Sequence, residues 1–147
     1  MVVFELLHTY YIHKGMLFYS NKKLGYYSDA ANLKEAISFY SKLPGFRDAP
    51  NGFIVKQQKI LGSVANNCFY EAYIYAHTED FEDYEYQVEL GLFGDKHSAQ
   101  NAVDMFCADN TLFLDNPLLK IEQLVEKYKI NEHYGWIDGF IVEQILE

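Results

Sequence analysis

The chain holds five histidines, two cysteines and twenty-one carboxylates in 147 residues, and their spacing decides which chemistry they could support. His8, His13, His77, His97 and His133 are scattered, with no H-E-x-x-H segment and no i, i+4 pair able to clamp a metal. Cys68 and Cys107 stand 39 positions apart, outside C-x-x-C spacing, so reduced core thiols are expected rather than a zinc knuckle or a redox pair. No G-x-S-x-G, Walker loop or G-x-G-x-x-G occurs, which removes the marks of a nucleophile elbow and of a phosphate cradle. A general acid needs a carboxyl whose pKa is raised by apolar surroundings, whereas the acidic residues here crowd into one polar stretch. These residues point to no enzyme, no cofactor and no metal.

Charge is more informative. Residues 1–67 carry eight Lys or Arg against four Asp or Glu, a net of +4; residues 68–147 carry four against seventeen, a net of −13, for −9 overall. The contrast concentrates in two stretches 66 positions apart, since 13–23 counts +3 and 79–89 counts −6. Within the acidic stretch, Glu79, Asp80, Phe81, Glu82, Asp83, Tyr84, Glu85 and Tyr86 interleave carboxylates with aromatic rings. That mixture draws a basic surface from a distance and buries well on contact, so these eight residues are the expected partner-binding edge. The same pattern also fits a solvated hairpin whose rings alternate into the core. Nucleic acid is a poor ligand for a chain of this charge, because phosphate binding needs a basic footprint.

The elements that would position this edge are legible in part as a repeat. Leu24-Gly25-Tyr26-Tyr27-Ser28-Asp29 returns as Leu90-Gly91-Leu92-Phe93-Gly94-Asp95, and the same shift brings Glu5 onto Glu71 and Ala36 onto Ala102. Asn51-Gly-Phe-Ile-Val-Lys-Gln57 is answered by Asp138-Gly-Phe-Ile-Val-Glu-Gln144 at a shift of 87, which implies an insertion of 21 residues in the second copy. Each copy opens with an aromatic and β-branched run, Val2–Ile12 or Phe69–Ala76, and a second run follows over Lys23–Ser28 or Tyr86–Phe93; both types read as strands. Ser28-Asp29 and Gly94-Asp95 then read as helix starts. Leu33, Ala36, Ile37, Tyr40 and Leu43 keep helical spacing beyond the first, as do Ala99, Ala102, Val103 and Phe106 beyond the second. Gly52–Val55 and Gly139–Val142 supply a third strand each.

The insertion, at about 110–130, reads as one more helix over Pro117–Lys129, with Asn116 as its cap and Leu118, Ile121, Leu124, Val125 and Tyr128 on one face. The expected fold is therefore α+β: two duplicated β-β-α-β units, 1–60 and 68–147, forming a single domain over 1–147, with an antiparallel sheet under packed helices. Half the residues are apolar and 17% aromatic, ample for a core. No stretch reaches the roughly 18 apolar residues of a membrane span, and Met1–Glu5 lacks a basic signal-like start, so a cytoplasmic location is expected.

Residues 4–60 resemble a small bacterial domain family of unknown function, through His8-Thr9-Tyr10, Gly25-Tyr26-Tyr27-Ser28, Pro44-Gly45-Phe46 and Gly52-Phe53. The resemblance implies the β-β-α-β arrangement and no activity. The family's Trp-x-x-Gly-Phe segment has its counterpart only at Trp136-Ile-Asp-Gly-Phe140. In kind the chain is similar to bacterial toxin-immunity proteins, which are small, often acidic, and block a toxin surface that binds nucleic acid. That likeness implies a non-enzymatic cytoplasmic protein covering a basic nuclease-type toxin. A nucleic-acid mimic or phage-type inhibitor is the alternative. A small-ligand domain, with a pocket lined by His8, Tyr10 and Trp136, is a third reading.

Overall fold

The computed structural model describes residues 1–11, 19–78 and 85–135, with side chains left out at 10, 11 and 19–21. Its elements in chain order are strands β1 (Val2–Tyr11) and β2 (Tyr19–Tyr27), helix α1 (Ala30–Tyr40), a 3-10 turn at Pro50–Gly52, and strands β3 (Phe53–Leu61), β4 (Cys68–His77) and β5 (Glu85–Phe93). Helices α2 (Lys96–Asp109) and α3 (Thr111–Leu114) and strand β6 (Lys120–Lys129) follow. The class is α+β. The contacts fall into two compact units: Val2–Gln58 with the chain from Ile130, and Met1 with Lys59–Lys129. β3 begins in the first and ends in the second.

In the first unit β1 and β2 pair antiparallel, Phe4 opposite Tyr27 and His8 opposite Lys22, with a register shift between Leu6 and Leu7. Asp29, two residues past the second strand, caps α1, its carboxylate accepting from the Asn32 N–H at 2.8 Å. The α1 stripe then does what its spacing predicts: Ala36 and Tyr40 join Leu6, Leu24, Tyr27 and Phe46 in the core, with Leu33, Ile37, Leu43 and Phe53 around them. Segment 130–134 lies along β2, where the Asn131 N–H bonds the Tyr26 carbonyl (2.8 Å) and the Tyr134 N–H the Leu24 carbonyl (2.9 Å).

The second unit has the strand order β3-β5-β4-β6. β4 pairs antiparallel with β5 on one side and β6 on the other, but β3 meets β5 in parallel, Ile60 opposite Leu92 and Leu61 opposite Phe93. The sheet is thus mixed, not antiparallel as expected. The reason is order: β5 returns from β4 into the space beside β3, so two strands of like direction become neighbours. α2 lays Ala99 and Val103 on Ala72 and Ile74, with Tyr70, Val88, Ile121 and Val125 completing the layer. Its cap, Asp95, accepts from the Ser98 N–H at 2.8 Å.

The helix expected over Pro117–Lys129 is absent, and most of that stretch is β6. Asn116 does bind a backbone N–H, that of Leu118 at 3.0 Å, but as a turn two residues on. Leu118 is 77% exposed, opposite to its expected burial. A helical stripe and a two-faced strand draw on the same residues here. Ile121 and Val125 face α2, while Leu124 and Tyr128 fall on the other side of the sheet by alternation. Ten register pairs with β4, Cys68–Lys129 to His77–Lys120, satisfy a whole strand edge and outweigh the weak helical preference. The third strand expected in the second copy, Gly139–Val142, lies outside the described residues.

Both cap carboxyls are held below the usual carboxylate range, first by the backbone N–H each accepts. A lowered folded pKa means support that is complete above the ordinary carboxyl range and lost as pH falls through the folded value. Asp29→Ala should therefore speed amide exchange at the first turn of α1, and Asp95→Ala at that of α2, with the difference from wild type vanishing in acid.

Candidate functional site

Of the eight residues expected at the binding edge, Glu79, Asp80, Phe81, Glu82, Asp83 and Tyr84 lie outside the described residues. Glu85 and Tyr86 open β5, and both are exposed. They do not share a face: Glu85 stands opposite His77 and Tyr86 opposite Ala76, so alternation points them to opposite sides. Tyr86 takes the α2 side; Glu85 takes the other.

That other side gathers carboxylates which no linear motif announces. Across β5, β4 and β6 the rows are Leu92–Glu71–Glu126, Glu89–Tyr73–Leu124, Gln87–Tyr75–Glu122 and Glu85–His77–Lys120. One end of this face is closed, with Phe69 and Leu92 buried and Glu71 only 7% exposed. The other end is open: Glu85, Glu89 and Glu122 are exposed. Between them the hydroxyls of Tyr73 and Tyr128 donate to the two oxygens of Glu126, each at 2.5 Å. Burial, then the bond to Glu126 and the charges of Glu126, Glu71 and Glu122, push the Tyr73 phenol upward, so it remains a donor at neutral pH. The sequence pattern conceals Glu122 and Glu126 because it places them on a helix, and Tyr73 because only strand pairing brings it beside Glu89.

The first unit treats the matching positions differently. Glu5 is buried, with the Lys23 ammonium 3.2 Å away and the Gln58 amide donating at 3.1 Å. A shift of 66 carries Glu5 to Glu71 and Lys23 to Glu89, so the cation of the first unit is replaced by a further carboxylate in the second. Lys22 and Lys23 close the basic stretch 13–23. They belong to β2, and Lys22 is 2% exposed.

His8 is fully buried, its Nε2 bonded to the Ala49 carbonyl at 2.9 Å, with Phe46 and Phe53 ring centroids each 4.8 Å away. His8, Phe46, Gly52 and Phe53, four residues of the family resemblance, therefore meet at one place. Of the pocket residues expected for a small ligand, His8 offers no open surface, and the Tyr10 side chain and Trp136 lie outside the described residues. Glu35, His133 and Tyr27 stand in the order of a proton relay: Glu35 is 4.0 Å from Nε2, and the Tyr27 hydroxyl bonds Nδ1 at 2.8 Å. The relay ends on a phenol that is 1% exposed and held above its usual range by burial and by Tyr40 and Glu35.

Cys68 and Cys107 are free thiols, and among the described residues no cluster of metal-ligating side chains occurs. A cavity of about 320 Å³ at the start of α2 is lined by Ala65, Asn66, Cys68, Tyr70, Gly94, Asp95, Lys96 and Lys127. No helix among the described residues is long and apolar enough to cross a membrane. No family model, curated protein or solved structure matches the chain.

Proposed function

We propose that the chain is a non-enzymatic binding protein of the cytoplasm that neutralises a basic partner, most concretely an immunity protein covering the active or substrate-binding surface of a nuclease toxin. One observation carries the reading: the face of the β5-β4-β6 sheet away from α2 presents Glu85, Glu89 and Glu122 at its open end, beside Tyr75. Carboxylates fixed on strands give a directed field that steers a cationic surface, and tyrosine adds contact area at small entropic cost. The acidic stretch 79–84 joins the two strands that carry Glu85 and His77, so it extends this edge in sequence.

The reading includes an internal duplication, 1–60 and 68–147, within one domain, with the second copy turned acidic. It is supported by details that recur at a shift of 66: the register shifts after Leu6 and Ala72, the positive-φ Gly25 and Gly91 opposite them, and the caps Asp29 and Asp95.

The test joins affinity capture from the native strain to charge reversal. The captured partner should be a basic nuclease-type protein whose activity the wild-type chain blocks. Glu85→Lys, Glu89→Lys and Glu122→Lys together should weaken that complex by roughly tenfold or more and flatten the salt dependence of its on-rate. Folding should be little changed, because these carboxylates are exposed. Lys34→Glu with Lys42→Glu, also exposed, is the control. Unchanged affinity in the triple variant, measured by calorimetry, would remove this face from the interface.

A further inference from the structure

We propose that His8 is a proton-operated latch: neutral, it holds the α1–β3 connection against β1; protonated, it lets that connection open. His8 has no exposed surface, and among the described residues its buried Nδ1 has no hydrogen-bond partner. Nε2 must therefore carry the proton, donating it to the Ala49 carbonyl at 2.9 Å. Among the described residues a second proton at Nδ1 would meet no acceptor, and its charge would be enclosed beside the Phe46 and Phe53 rings. A Cβ placed on Gly52 would stand 2.8 Å from Nε2, so the connection is already in contact with the imidazole.

The charges facing this site add to the bias. Lys22 on β2 is the register partner of His8 and is itself buried. On β1, Glu5 is engaged by Lys23 and Gln58. The connection contributes Lys42, Arg47 and Asp48, all exposed, the last two 3.9 Å apart; Gly52 and Phe53 bring no charge. Burial first, and Lys22 as well, hold the imidazole below its ordinary range, against the bond to Ala49. The closed form thus binds the proton less readily than the open one. Its advantage is complete above the ordinary imidazole range, about pH 6.5, and falls as pH drops through the lowered value. Opening uncovers Phe46 and Phe53, an apolar pair for an acid-state contact.

Histidine NMR on the full chain between about pH 8 and pH 4.5 reads the tautomer and titration of His8. Amide exchange at Arg47, Ala49 and Gly52, bonded to the Leu43, Phe46 and Ala49 carbonyls, reads the latch. The expected result is a neutral Nε2–H form that persists below the usual imidazole range. As His8 then charges, those amides should lose protection by roughly tenfold or more while α2 amides keep theirs. His8→Gln can still donate to a carbonyl but cannot titrate, and should abolish the pH step; if it does not fold, the wild-type titration and exchange decide. His8 titrating at or above the ordinary range, or protection unchanged as it charges, would overturn the proposal.

Discussion

Phe46→Ala should lower the unfolding free energy by about 3–5 kcal/mol, the range for a buried aromatic truncated in a core that cannot collapse. Phe46 is fully buried and joins three groups of the first unit: its ring lies 4.8 Å from His8, 5.4 Å from Tyr40 and 6.4 Å from Phe53. Those neighbours are themselves tied, Tyr40 by donating to the Tyr134 carbonyl, with the Leu24 carbonyl 3.1 Å from its hydroxyl, and His8 by its bond to Ala49, so little can move into the void. Phe39→Ala is the contrast, since Phe39 is 46% exposed and should cost about 1 kcal/mol or less. Urea unfolding of both variants measures the difference. A loss under about 1 kcal/mol for Phe46→Ala would mean that the 44–48 segment does not close this core.

The second large effect needs only one methyl group. A Cβ on Gly94 would lie 2.2 Å from the Ser63 carbonyl oxygen, 2.6 Å from its carbon and 3.2 Å from its nitrogen. All three are backbone atoms, so no side chain can swing aside. The Gly94 N–H also bonds the Leu61 carbonyl at 2.8 Å, which fixes the start of α2 against the end of β3. Gly94→Ala should cost about 3 kcal/mol by overpacking. Gly62 has nothing within 4 Å of its Cβ position but a φ of +83°, so Gly62→Ala should cost about 1–2 kcal/mol, from backbone strain alone. Thermal unfolding that ranks Gly62→Ala as the worse variant would contradict the close approach at Ser63.

Elements built on local pattern are legible in the amino-acid sequence. Asp29 and Asp95 each precede a helix with a clear apolar stripe, and aromatic and β-branched runs mark β1, β4 and β5, because capping and alternation act over a few residues. β6 is not legible. Ile121, Leu124, Val125 and Tyr128 satisfy a period of 3.6 as well as burial on both faces of a strand, and only the vacant edge of β4 decides between them. The parallel contact of β3 with β5 is hidden for a related reason, since strand order is set by non-local pairing. The site divides the same way. Glu85 and Glu89 can be read from the acidic stretch, whereas their neighbours Tyr73 and Glu122 come from strands beyond its ends. His8 can be placed on a strand by its neighbours, but not tied to Ala49, 41 residues along.

The make-up of the two units bears on how the chain acquires its structure on the ribosome. Apart from Met1, the second unit is one continuous stretch, Lys59–Lys129, whose strands pair with one another. The first needs residues from both ends: Asn131 and Tyr134 bond along β2, and His133 meets Tyr27. During synthesis, then, the stretch Val2–Gln58 emerges first yet must wait for residues 131–134, while Lys59–Lys129 can complete itself before them. Until residue 134 leaves the exit tunnel, the Leu24 and Tyr26 carbonyls lack those partners, and a chain stalled near residue 129 holds its first-made half unfinished.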